Sequence, residues 1–142
     1  MKSCLATLVL AQIVSCALMF ERPTQVKLEG GERPVFVLSG SGTLEDLVVY
    51  GPKQREMFGD RSNALWEILP KKGLKRRGVE ELGRITYGIV PAGYKQVYPE
   101  GSAPPPLLVP GVKYEYWFIT VNAPHARKDF EIRDGKAVEI PD

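Results

Sequence analysis

Short runs of strand-forming residues, each stopped by glycine or proline before a helix could complete three turns, constrain this chain more than any other feature of its sequence. Gln25–Leu28 alternates and halts at Gly30-Gly31, Pro34–Leu38 halts at Ser39-Gly40-Ser41-Gly42, and Leu44–Tyr50 halts at Gly51-Pro52. Ala64–Leu69 ends at Pro70, Ile85–Val90 at Pro91-Ala92-Gly93, and Tyr94–Tyr98 at Pro99. Val112–Asn122 is the longest run and is apolar on both faces, which predicts a central strand buried at least in part on both sides. Phe130–Arg133 and Ala137–Ile140 flank Asp134-Gly135, a hairpin turn. At most one helical turn fits between Gly78 and Gly83. Eight or nine short strands without an amphipathic helix predict an all-β domain, and two packed sheets are the simplest way to bury one face of each.

The N-terminus follows a different logic. Lys2 precedes an apolar block over 5–15, broken only by Thr7, Gln12 and Ser15. Crossing a bilayer takes about 20 mainly apolar residues, and this block is shorter. One positive charge, a short apolar core and small residues at its end describe a cleaved export signal. Ile13-Val14-Ser15-Cys16 resembles the end of a bacterial lipoprotein signal, in which a cysteine is acylated before cleavage. The resemblance implies a signal over 1–15, lipidation of Cys16, a tether over 16–24 and a domain over 25–142. It also implies attachment to a bacterial envelope membrane through the lipid. Ser15-Cys16-Ala17 also fits a cut after Ala17 that would release a soluble exported protein, and an uncleaved anchor is a third arrangement. Either cut removes Cys4, so no disulfide is expected in the mature domain. Without residues 1–15 the chain carries one basic charge fewer than its 19, against 17 acidic residues, a balance too even to point to nucleic acid.

Leu108-Val109-Pro110-Gly111-Val112-Lys113-Tyr114 resembles the tyrosine corner of fibronectin type III and related immunoglobulin-like domains. In that motif a leucine plugs the core, Pro-Gly turns the chain between sheets, and the tyrosine hydroxyl reaches back to upstream backbone. The resemblance implies that Tyr114 opens strand F and that Trp66 is a core tryptophan of an earlier strand. It covers 108–124; the remainder agrees in strand rhythm, and the long Lys71–Gly83 segment departs from a compact module. The fold expected is therefore an immunoglobulin-like or fibronectin type III-like sandwich, which by itself carries no function.

Chemistry-bearing patterns are sparse. His125 is the only histidine, and no serine lies in Gly-x-Ser-x-Gly, so no catalytic residue is expected. Ser39-Gly40-Ser41-Gly42 is followed by no Gly-Lys-Ser/Thr and opens no helix, so it reads as a turn and not a phosphate loop. Asp60 and Asn63 alone do not make a calcium loop, and no metal or cofactor is expected. Lys71, Lys72, Lys75, Arg76 and Arg77 form a basic loop that reads as a solvated, mobile segment; its alternative reading is contact with anionic headgroups or envelope sugars. Tyr94 and Tyr98, flanking a Pro-rich loop, are the residues expected to face a ligand if the aromatics form a sugar-stacking surface. The leading expectation is a non-catalytic, lipid-anchored envelope module whose partner is an envelope protein or a glycan. An exported carbohydrate-binding module is the alternative.

Overall fold

The computed structural model describes residues 21–52 and 61–142. The signal over 1–15, Cys16 and most of the expected tether lie outside the described residues. Among the described residues, nine strands and one helical turn follow in order: β1 Gln25–Glu29, β2 Val35–Ser39, β3 Thr43–Tyr50, β4 Ala64–Pro70, α1 Val79–Leu82, β5 Arg84–Thr86, β6 Tyr94–Tyr98, β7 Tyr114–Val121, β8 Ala126–Arg133 and β9 Lys136–Glu139. They form two antiparallel sheets, β1-β2-β5 and β6-β4-β3-β7-β8-β9, and the fold is an all-β two-sheet sandwich. The end of the expected tether belongs to the domain. Arg22 exchanges backbone and side-chain hydrogen bonds with Ser41, and the Thr24 N–H donates to Pro124 O at 3.1 Å.

Alternation decides which residues meet between the sheets. Phe36, Leu38 and Ile85 from the smaller sheet face Leu47, Val49, Trp66, Ile68, Tyr116, Phe118 and Phe130 from the larger one, all buried. Phe36 lies edge-on to Tyr116, Phe118 and Phe130 at centroid distances of 5.6, 5.3 and 6.4 Å. β7 is central, between β3 and β8, as its two apolar faces predict. On its outer face Trp117 packs with Val48, Tyr50 and Ala64 in a second, smaller cluster.

The turn from β2 to β3 carries the chain from one sheet to the other. Gly40 sits there at φ +132°, and a Cβ would lie 2.7 Å from Pro23 O, so both conformation and space require glycine. A bulge in β3 between Leu44 and Asp46 leaves Glu45 without an opposite residue on β7. The extra residue keeps Leu44 in the core while Asp46 takes the outer face beside Val48 and Tyr50.

The backbone bond expected of Tyr114 is present. The Tyr114 hydroxyl accepts the Val109 N–H at 2.8 Å, and Leu108 beneath it is buried. Two segments differ from expectation. β5 is only three residues long: Tyr87 gives its N–H to Pro34 O, but Pro34 has none to return and the Ile89 N–H turns back to Thr86 O, while the Tyr87 ring packs edge-on to Trp66 and its hydroxyl donates to Pro106 O at 2.9 Å. β8 begins at Ala126 and not at Phe130, its polar first half paired with β7 alone.

Candidate functional site

The two tyrosines expected beside the Pro-rich loop part company. Tyr98 is 47% exposed, whereas Tyr94 is 2% exposed and cannot stack on a ligand. The Tyr94 hydroxyl donates to Leu44 O at 2.8 Å and accepts the Arg77 N–H at 3.2 Å. It ties the basic loop to β3, a use of the phenol that fixes its ring inward. No paired aromatic platform arises from these two residues. Cys16 lies outside the described residues.

A pair of carboxylates meets on the outer face of the larger sheet. Arg61 donates through Nη2 to Asp46 Oδ2 at 2.9 Å, through Nε to Glu67 Oε1 at 3.1 Å, and through Nη1 to the Tyr50 hydroxyl at 2.7 Å. Burial pushes the Asp46 carboxyl up to about 7; Glu67 beside it adds to the rise and Arg61 offsets only part of it. Such a pair would interest a glycosidase chemist, but the guanidinium occupies the space between the two acids. The cluster holds β3, β4 and the segment before β4 together. Sequence offered no sign of it, since Asp46, Arg61 and Glu67 come from separated segments and carry no motif.

A surface with room for a ligand lies elsewhere among the described residues, along the edge where the two sheets meet. A groove of about 650 Å³ runs between β1 and the first half of β8. Val26, Leu38 and Tyr116 supply apolar lining, and Lys27, His125, Lys128 and Glu139 supply polar side chains. Tyr116 donates to Glu139 Oε1 at 2.8 Å, and burial raises its phenol well above the usual range. Arg127 stacks over Trp117 at 4.7 Å and pairs with Glu115. The Thr120 N–H donates to His125 Nδ1 at 3.0 Å.

Strand geometry explains why the groove is open. At one end Thr24 N–H bonds to Pro124 O; at the other the Ala137 N–H bonds to Gly30 O at 2.8 Å, so β9 closes the seam between β8 and β1. β9 pairs only with 130–133 of β8, and Ile140 N–H reaches Asp129 O. Ala126, Arg127 and Lys128 are therefore paired on the β7 side alone. Sequence reasoning missed this groove because its residues come from three separated segments and none carries a motif.

Among the described residues no group of three His, Cys, Asp or Glu side chains is placed to hold a metal ion. The basic loop is exposed from Lys71 to Arg76, and Arg76 and Arg77 pair with Glu45 and Glu81. Set against models of protein families, curated proteins and solved structures, the chain finds no match.

Proposed function

We propose that this chain is a non-catalytic module of the bacterial cell envelope, held to a membrane by a lipid on Cys16 and acting through contacts made by its sandwich. The observation that carries the contact role is the basic groove at the sheet seam, whose chemistry is that of a binding surface: apolar lining, strand backbone and cations. His125, the side chain most suited to acid–base work, serves as an acceptor for Thr120 N–H. Support for an immunoglobulin-like domain comes from the tyrosine corner and from strand order. With β1, β2, β3, β5, β7 and β8 lettered A, B, C, E, F and G, the sheets follow A-B-E and C-F-G neighbours, with β4 and β6 added at one edge and β9 at the other. The location rests on the apolar block ending in Ile13-Val14-Ser15-Cys16.

Intact-mass measurement of membrane-extracted protein tests the anchor. The expected product begins at an acylated Cys16, and Cys16→Ser moves the protein out of the membrane fraction. A lipid-free chain beginning at Leu18, or unchanged partitioning of the variant, would overturn it.

A further inference from the structure

We infer that the open half of the seam is a strand-addition slot, which binds an extended acidic segment of a partner protein between β1 and the first half of β8. The inference deepens the contact role proposed above and rests on it.

Hydrogen-bond direction along the two edges gives the first ground. Thr24 N–H and Gly30 C=O both point from β1 toward the larger sheet. Backbone groups of alternate residues in an antiparallel strand share a direction, so Val26 and Leu28 point the same way. Leu38, opposite Val26 on β2, sends its N–H to Gly83 O and away from β1, which gives the same assignment. On β8, Asp129 C=O points toward β9, and Arg127, two residues earlier, does the same beyond the end of β9. Val26 and Arg127 thus present strand backbone to the groove from opposite walls. The slot continues the line of β9 past Ile140. Three to four residues of extended chain, roughly 10–13 Å, match its length.

Charge selects the occupant. Lys128 shares the inward parity of Phe130 and Ile132, both buried, yet it is a cation at the slot. An inward lysine at a sheet edge deters apolar strands, which would leave its ammonium buried and unpaired. An acidic strand satisfies it instead. The chain itself demonstrates the pairing: Asp142 reaches the Lys128 Nζ at 2.7 Å from a side chain that is 88% exposed. Lys27 and His125 line the same groove, and strand addition draws its affinity from main-chain bonds and its selectivity from such flanking side chains.

The test is an amide-resolved NMR titration of the full-length protein with a short capped peptide alternating glutamate and valine. Saturable shifts centred on Val26 and on Ala126–Lys128 are expected, with a lysine–valine peptide showing none. Methylating alternate peptide nitrogens removes strand hydrogen bonds without touching the protein and should weaken binding about tenfold or more. Lys128→Glu should weaken it comparably; should that variant fail to fold, the methylated peptide decides alone. Absence of saturable shifts, or shifts centred elsewhere, would overturn the slot. Equal binding of the methylated peptide would overturn it in favour of a simple anion site. Shifts that depend on protein concentration without peptide would replace the partner by a second copy of the chain. Membrane partitioning of Cys16→Ser is read independently: losing the anchor leaves the slot standing, and losing the slot leaves the anchor.

Discussion

Asp46 makes the folded state sensitive to pH in an unusual direction. Its carboxyl is held at about 7 in the fold against 3.8 in the unfolded chain. Between those values the folded state keeps a proton that the unfolded state has lost, so this group's contribution is fully present below about pH 4 and is lost as pH rises through 7. At about 1.4 kcal/mol per unit the loss is at most about 4 kcal/mol. Urea midpoints of wild type should therefore fall, relative to those of Asp46→Asn, between about pH 4 and 7; parallel curves would show that the Asp46 carboxyl is not raised. Tyr114 gives a second measurement. Tyr114→Phe removes the acceptor of Val109 N–H and should cost ~1 kcal/mol, more if that N–H finds no water; coincident denaturation midpoints would mean the bond contributes nothing. Tyr114 was readable in the sequence because a fixed spacing to Pro110-Gly111 specifies its role. Tyr94 was not, since a tyrosine suits either a wet surface or a buried site with one acceptor, and its partners Leu44 and Arg77 are distant in sequence.

Elements were readable where one face is apolar and a turn residue ends the run, as in β2, β3 and β4. The first half of β8 was hidden because Ala126-Arg127-Lys128-Asp129 carries three charges, and only its pairing with β7 makes it a strand. The basic loop combines a free part with a fixed part. Lys71–Arg76 is exposed, and Gly73 at φ +80° has open space around it. Arg77, by contrast, gives its N–H to Tyr94, its C=O to Leu44 N–H and its guanidinium to Glu81 and Ala92 O. Within this loop trypsin should cut the folded protein after Lys72 or Lys75 well before it cuts after Arg76 or Arg77, because cleavage needs a backbone free to leave the domain. Mass spectrometry of the earliest fragments checks the order. First cuts at Arg77 would show that its bonds to Tyr94 and β3 open readily.

For the whole molecule, strand number and turn spacing were enough to expect two sheets, but not to say which strands neighbour each other, since runs such as Val-Phe-Val-Leu and Leu-Val-Val-Tyr fit many orders. What joins the sheets is side-chain packing across the interface, and Phe36 is its centre on the smaller sheet. Its ring meets three aromatic rings of the larger sheet edge-on and is wholly buried. Phe36→Ala should cost about 3–5 kcal/mol, the range for a buried phenylalanine that leaves a cavity, and Phe36→Leu should cost less because most of the volume remains. If the sheets fold as one cooperative unit, the loss also reaches Trp66 and Trp117, which lie on the larger sheet. Tryptophan fluorescence and far-ultraviolet circular dichroism should then report a single coincident transition at a lower denaturant midpoint. Two separated transitions, with the tryptophans unmoved, would mean that the six-stranded sheet holds its packing without β1, β2 and β5. The seam argues against that outcome: Thr24 to Pro124, Gly30 to Ala137 and Leu108 N–H to Glu32 O bind β1 and the turn after it to the larger sheet and its loops. Loosening the central packing therefore loads those same bonds, and the groove they frame should lose its shape in the same transition.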